Sequence, residues 1–291
     1  MHYLVHNPAA GRGRAAWALP RVLALCDAAG LEVTVLTTRE AGHATRLVRQ
    51  LAADARVLCL GGDGTVHEVA LACVDSERTL GVLPVGSGND FAFALGLPHH
   101  DLARALRAAI EGRVVRVDSG RVNGVIFVNA LGVGFDAEVA QHVSAAPAPL
   151  RGLAAYLYAV FITLRKLRNV AVEVVVDGSS VFRGPSLLVS VLNGPRTGGG
   201  FLFAPHARPD DGLLEVLIAG SFGRLGTLAI IPRVMRGRHL GHPQVFAFQG
   251  RKVSLHWAEP RPAHLDGEML EPTATFEITV QPGSLRVFAP E

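Results

Sequence analysis

Three glycine-rich or polar stretches each follow a short apolar run. They are Asn7-Pro8-Ala9-Ala10-Gly11-Arg12-Gly13, Gly61-Gly62-Asp63-Gly64-Thr65 and Pro84-Val85-Gly86-Ser87-Gly88-Asn89-Asp90-Phe91-Ala92. Glycine permits positive φ and close backbone approach, so successive N–H groups of Gly61, Gly62, Gly64, Gly86 and Gly88 can face a polyphosphate. A helix opening near Thr65 adds a field that favours anions at its N-terminus. Thr65 itself can donate a hydroxyl, or serve as an ordinary helix N-cap. Arg12 and Arg14 can meet phosphate charge or lie solvated at the surface.

Asp63 and Asp90 stand inside these loops, where a carboxylate repels polyphosphate unless a cation intervenes. Mg²⁺ prefers oxygen ligands and keeps several waters, so it suits such a pair, directly or through water. Local capping of the loops is the competing role for both aspartates. Further on, Leu265-Asp266-Gly267-Glu268 supplies two closely spaced carboxylates, although Asp-Gly is also a common turn sequence.

The elements that must hold these loops are legible as periodicity. Up to about residue 120, strand-like runs (His2–His6, Leu31–Thr37, Arg56–Leu60, Gly81–Val85) alternate with helical spacing. Val66, Val69, Ala70, Cys73 and Val74 form one such helical face, and Leu102, Leu106 and Ile110 another. That rhythm predicts a parallel sheet wrapped by helices, with all three loops at the C-terminal strand edge, where open α/β sheets bind ligands. From about Val114 the pattern becomes strand after strand with hairpin signals at Asn123-Gly124 and Asp177-Gly178. Helical segments near Leu150–Leu167 and Arg224–Arg236 interrupt it, and Pro232 should kink or shorten the second. The expected organisation is a nucleotide-binding α/β domain over 1–120, to which 285–291 can return, and a β-rich substrate domain over 121–284. A cleft between them is the default site.

Composition narrows the function. With 49% hydrophobic and 18% charged residues the 291-residue chain is globular rather than disordered. A net charge of only +3, without a dense basic run, argues against nucleic acid. Cys26, Cys59 and Cys73 have no metal-ligand spacing and suggest a reducing compartment. Met1 to Arg14 holds no apolar run of signal-peptide length, and the apolar stretch Gly152–Leu164 is too short to span a bilayer. The expected location is therefore cytoplasmic, with peripheral contact at the inner face of the membrane. The twelve histidines are read as structural.

Taken in order, Asn7-Pro8 with Gly11, Gly61–Thr65 with Glu68, and Pro84–Ala92 resemble the catalytic domain shared by diacylglycerol, sphingosine and ceramide kinases and their bacterial relatives. The resemblance continues through Asn129–Asp136, Pro205–Leu213 and Leu265–Glu268, covering nearly the whole chain. It implies an N-terminal three-layer α/β domain, a C-terminal antiparallel β-sandwich, and Mg-dependent phosphoryl transfer from ATP to a lipid alcohol. It further implies that Asp266 is the general base with Glu268 in support, and that Thr38, Asn7, Ser87 and Asn89 join the glycines in binding nucleotide. Arg208-Pro209-Asp210-Asp211-Gly212-Leu213 resembles a second, structural magnesium site, with the Asp211 side chain and the carbonyls of Arg208 and Leu213 as ligands. An ordinary Asp-Gly turn is the alternative there.

Three departures stand out: Ala10 where Ser is frequent, Ser87 for Thr, and His67 for Asn. An NAD kinase shares the Gly-Gly-Asp-Gly-Thr loop but not Gly86–Ala92. A non-catalytic sensor of the same fold is the other alternative. Leu153, Tyr156, Leu157, Val160 and Phe161 form a helical stripe that can be core or a lipid-contacting surface. The acceptor lipid is not legible, and the family's mixture of monomers and dimers leaves a homodimer open.

Overall fold

The computed structural model describes residues 2–98, 101–145, 147, 150 and 153–290. In chain order the N-terminal half comprises β1 (His2–His6), α1 (Arg14–Ala28), β2 (Val33–Thr37), α2 (His43–Arg49), β3 (Arg56–Gly61), α3 (Asp63–Cys73), β4 (Thr79–Pro84), α4 (Asp90–Ala94) and α5 (Leu102–Glu111). β2, β1, β3 and β4 pair side by side, all parallel. The strands are apolar on both faces because helices cover both. Val22 and Cys26 of α1 and Leu106 and Ala109 of α5 pack on one side, and Val69, Ala70 and Cys73 of α3 on the other.

β5 (Arg113–Val122), β6 (Val125–Phe127) and β7 (Ala130–Gly134) follow, then α6 (Phe135–Ser144), α7 (Leu153–Arg165), β8 (Val170–Val176), β9 (Ser179–Ser186), β10 (Leu188–Leu192) and β11 (Leu214–Ala219). α8 (Arg224–Met235), β12 (Val245–Gly250), β13 (Lys252–Leu265) and β14 (Glu268–Ala289) complete the chain. β12, β11, β10, β7, β13 and β14 pair antiparallel in that order, and β8 and β9 extend from β13. Alternating Val172, Val174 and Val176 of β8 meet Val189, Val216, Leu255 and Phe276 in the sandwich core. A separate apolar cluster lies under α6, α7 and α8. β14 then runs on into the first half, where Arg286 and Val287 pair parallel with Thr79 and Leu80 of β4.

The α/β domain with parallel strands and the antiparallel sandwich are thus as expected, and local signals account for their turns. At Asn123-Gly124, Asp177-Gly178 and Asp266-Gly267 both residues have positive φ, from 47° to 96°. That is the requirement of two-residue hairpin turns whose twist matches the strands.

Two details differ from expectation, and two more fill in what the pattern left open. α3 opens at Asp63 rather than Thr65, with Gly62 as N-cap, so Thr65 is inside the first turn and free for another partner. α6 is a helix inside a stretch that reads as β, because Gly134 at φ 99° turns the chain off β7. α8 continues through Pro232 but ends three residues later, at Met235. In α7, Val160 is core, Tyr156 is half-buried, and Leu157 and Phe161 are exposed. The Leu153 side chain and residues 151–152 lie outside the described residues.

Candidate active site

The three loops meet at the C-terminal edge of β1, β3 and β4. Asn7, directly after β1, donates from Nδ2 to Thr65 Oγ1 at 2.9 Å and accepts the Ala9 N–H at 3.1 Å, which ties the first loop to the second. Gly62 and Gly86 join the second to the third: a Cβ on Gly86 would stand 2.6 Å from the Cα of Gly62, so neither loop tolerates a side chain at this crossing. Arg14 braces the same junction, donating to the carbonyls of Gly11 (3.0 Å) and Gly86 (2.6 Å). Thr38, at the end of β2, is buried and its N–H donates to His6 O at 2.9 Å. Gly64 and Ser87 are exposed, Gly88 and Asn89 half-buried. Glu68 faces away, with its carboxylate on the N–H of Ala44 at the start of α2.

Asp63 organises the third loop. Its two oxygens accept the N–H groups of Asn89 and Asp90, both at 2.7 Å. Asp90 in turn accepts the Gly199 N–H on Oδ2 at 2.8 Å, while Oδ1 is buried, 3.4 Å from Arg196 Nε and without a hydrogen-bond partner among the described residues. Burial pushes the Asp90 carboxyl up to about 6, with the Asp63 charge adding to the effect and Gly199 and Arg196 opposing it. Asp63 is raised too, by burial first, with Asp266 contributing. The concentration of carboxylates and the unmet Asp90 oxygen fit an oxygen-seeking divalent cation.

Asp266 sits at the tip of the β13–β14 hairpin, where Leu265 pairs with Glu268. Its side chain is only 3% exposed. Oδ1 accepts the N–H groups of Asn129 (2.9 Å) and Ala130 (2.7 Å). Oδ2 accepts the Val128 N–H (2.8 Å) and meets His67 Nδ1 at 2.7 Å. Burial alone would raise this carboxyl, but His67 and the backbone donors outweigh it and hold Asp266 below the usual carboxylate range. For His67, burial opposes the charge and the Asp266 carboxylate prevails, leaving its pKa raised. Glu268 is different in kind: it is exposed, with Oε1 3.9 Å from the position a Cβ on Gly64 would take, so it overhangs the second glycine-rich loop.

A cavity of about 450 Å³ adjoins these groups. Asp63, Ser87, Gly88, Asp90 and Asp266 line one part of it, and Phe135, Val139, Tyr156, Phe201, Ile231 and Val234 line another. The Arg208–Leu213 segment lies elsewhere. There Asp211 Oδ1 accepts the Leu213 N–H at 3.0 Å, and the buried Asp118 carboxylate accepts the N–H groups of Gly212 and Gly283 at 2.7 Å each.

The structure also brings in residues that the sequence reading omits. Arg196 and Gly199 come from a loop after β10 whose run Gly198-Gly199-Gly200 carries the same signal as the phosphate loops. His67, read as structural with the other histidines, meets Asp266 and so helps to hold the hairpin tip. Its position four residues after Asp63 on α3 puts both on one helix face.

A parallel α/β domain is thus joined to an antiparallel sandwich, with glycine-rich loops and carboxylates opening on a largely apolar cavity. Residues 2–122 match the diacylglycerol kinase catalytic domain and residues 129–289 the YegS C-terminal NAD kinase beta sandwich-like domain. A Bacillus subtilis diacylglycerol kinase is 32% identical over 269 residues, 91% of this chain and 88% of the relative. A Pseudomonas aeruginosa protein classed as a YegS-like lipid kinase is 35% identical, over 90% of this chain and 86% of its own. A crystal structure of a Bacillus anthracis protein assigned as a diacylglycerol kinase superposes with a TM-score of 0.82 at 27% identity, covering 99% of this chain and 94% of that one. An Archaeoglobus fulgidus NAD kinase solved with ATP shares the fold alone, with a TM-score of 0.55 at 14% identity. The chain belongs to the diacylglycerol kinase catalytic-domain family and is a lipid kinase.

Proposed function

We propose that the protein transfers the γ-phosphoryl group of ATP to the hydroxyl of a membrane lipid. The observation that carries this reading is the cavity shared by the phosphate loops, the carboxylates and a large apolar lining. An NAD kinase would have no use for that lining. The lipid oxygen attacks the γ-phosphorus, the bond to the β–γ bridging oxygen breaks, ADP leaves, and the hydroxyl proton passes to a carboxylate.

The geometry supports Glu268 as that base, with Asp266 as its anchor, rather than the reverse assignment expected from the resemblance. Each Asp266 oxygen already faces two hydrogen-bonding groups, and a carboxylate offers about four lone-pair sites in all. Its lowered pKa makes it a weaker base still. Held in this way, Asp266 fixes the hairpin tip from which Glu268 reaches over Gly64. Asn7, Thr38, Thr65, Ser87, Asn89 and the loop glycines are the nucleotide-binding groups. Asp63 and Asp90 would hold Mg²⁺, which supplies charge neutralisation at the phosphates when bound. A second magnesium at Asp211, with the carbonyls of Arg208 and Leu213, belongs to the same reading.

Peripheral membrane contact is part of the proposal, and α7 and α8 are its surface. Residues 139–172 and 216–258 contain no Asp or Glu, yet they hold Arg165, Lys166, Arg168, Arg224, Arg233, Arg236 and Arg238. On the same helices Phe161 is 61% and Leu225 82% exposed, flanked by Leu157, Leu228 and Met235. A cationic face studded with large apolar side chains suits an anionic bilayer, where each basic residue near the surface contributes about 1 kcal/mol. α7 and α8 also roof the cavity, so a lipid would enter directly from that face.

The test is transfer of labelled γ-phosphate from ATP to lipids in mixed micelles, with wild type beside Glu268→Gln. Labelled lipid from wild type alone supports the reaction and the base together. Undiminished transfer by Glu268→Gln returns the role to another group, and ATP binding without any labelled lipid favours the sensor alternative.

A further inference from the structure

The apolar reach of the cavity is interrupted at one level. Ser190 of β10 and His264 of β13 are both register partners of Gly132 of β7, so the three form one row across the sheet. Gly132 leaves a gap in that row, and Asp136, from the first turn of α6, folds into it. A Cβ on Gly132 would lie 2.1 Å from Asp136 Oδ2 and 2.5 Å from His264 Nε2. Ser190 Oγ donates to Asp136 Oδ2 at 3.2 Å, and His264 Nε2 stands 3.7 Å from the same oxygen. Asp136 and His264 both line the cavity, among phenylalanine, leucine and valine side chains.

The unused valences of this row are acceptors. Beyond Ser190, Asp136 is met by the N–H of Ala137 on Oδ1, which among the described residues leaves open lone pairs on both oxygens. In a neutral imidazole one nitrogen donates and the other accepts; with Nε2–H toward Asp136, Nδ1 is the acceptor. That nitrogen is buried and has no hydrogen-bond partner among the described residues. An unmet acceptor in an apolar pocket is costly, and a ligand that brings a donor relieves it. Position points the same way. His264 is next to last in β13 and Asp266 follows two residues later at the hairpin tip; two residues of chain span at most about 7 Å, so the row lies within one lipid headgroup of that tip.

We propose that Asp136, His264 and Ser190 form a recognition subsite for a hydrogen-bond donor, a hydroxyl or an ammonium, carried by the lipid beside its accepting hydroxyl. This rests on the lipid-kinase reading above and narrows its substrate class. A long-chain lipid that retains a second free hydroxyl or an amine satisfies the row. A glycerolipid whose neighbouring oxygens are both esterified brings only acceptors to it and fits less well.

The experiment has two arms. In the first, labelled ATP is given with 1-monooleoylglycerol, 1,2-dioleoylglycerol or a long-chain 2-amino-1,3-diol, using wild type, Asp136→Ala and His264→Phe. In the second, calorimetry without nucleotide measures binding of 1-monooctanoylglycerol and 1,2-dioctanoylglycerol. The expected result is a kcat/KM for a donor-bearing lipid about 10- to 100-fold above that for the diacylglycerol, matched by a binding preference of the same sense. Asp136→Ala and His264→Phe should erase the preference while the KM for ATP stays unchanged. A preference for the amine identifies an ammonium and one for the monoacylglycerol a hydroxyl; either supports the subsite. Wild type favouring the diester, or Asp136→Ala lowering all three lipids alike, overturns it. Because the calorimetric arm needs no turnover, it decides the subsite even if no lipid is phosphorylated, an outcome that would count against the kinase reading instead. The milder Ser190→Ala variant should narrow the preference in the same direction if Asp136→Ala does not fold.

Discussion

Removing the Asp266 carboxylate should damage the fold before it damages the chemistry. In Asp266→Ala the N–H groups of Val128, Asn129 and Ala130 and the His67 imidazole lose their acceptor together in a buried site. Hydrogen bonds to a charged group contribute about 1.5–3 kcal/mol each and do not add fully, so the combined loss is roughly 4–6 kcal/mol. Alanine at φ 50° adds backbone strain. Asp266→Asn keeps one oxygen and tolerates the positive φ, but it turns an amide N–H₂ toward the Val128 N–H, and about 2–3 kcal/mol is expected. Urea denaturation measures both values. The pH dependence carries a sign. Asp266 is depressed in the folded state, so its contribution is present above about pH 4 and is lost as pH falls through the folded value. His67 is raised, so its contribution is complete below about pH 6.5 and is lost as pH rises through its folded value. The gap between wild type and Asp266→Asn should therefore be widest between about pH 4 and 6.5 and shrink on the alkaline side. A cost below about 1 kcal/mol for Asp266→Ala, or a gap unchanged from pH 4 to 9, would refute the reasoning.

Glu268→Gln should lower kcat by about 10²- to 10⁴-fold with little change in melting temperature, as measured by single-turnover transfer and calorimetry. Gly88→Ala would place a Cβ 2.7 Å from Asp63 Oδ2 and 3.0 Å from the Gly199 Cα; displacement of the third loop should cost about 10²-fold in kcat/KM for ATP, and an unaltered value would mean the loop does not position the nucleotide. Asp211→Ala should abolish any magnesium-dependent rise in melting temperature that wild type shows, whereas an identical magnesium response in both proteins removes the metal from that turn. Phe161→Ser with Leu225→Ser should weaken sedimentation with phosphatidylglycerol vesicles by about tenfold while leaving ATP binding intact; equal sedimentation excludes α7 and α8 as the docking face.

What could be read in the chain and what could not divides along physical lines. The placement of the glycine-rich loops is legible because each lies next to the strand that presents it, so Gly61–Thr65 and Gly86–Asn89 carry their local context within a few residues. The Asn123-Gly124 and Asp177-Gly178 hairpins are legible for the same reason. Asp266 is visible as a motif, but its state is not: its four partners come from His67 and from the backbone of residues 128–130, and no local pattern announces a saturated carboxylate. His67 looks like one more helical histidine until the fold sets it against a hairpin tip from the far end of the chain. α6 escapes a periodicity reading because Phe135–Ser144 mixes Asp136, Glu138 and Gln141 into an apolar stretch and carries a modest amphipathic signal. The Ser190–Gly132–His264 row exists only as strand register, which pairs residues from three strands far apart in the chain.

β14 has a mechanical consequence. Its first residue is Glu268 beside the nucleotide loops, its middle lies along β5, and its end is zipped to β4, so one continuous 22-residue strand belongs to both halves of the molecule. A strand hydrogen-bonded along its length resists bending in the plane of its sheet, and the bulge between Gln281 and Leu285 is where the register with β5 yields. The carboxylate tip and the phosphate loops are therefore mounted on one beam rather than on two jaws. Large-scale clamping of one half on the other is disfavoured by this construction. On the proposed reading, the separation between Glu268 and the glycine-rich loops is thus set when the chain folds rather than when a ligand arrives.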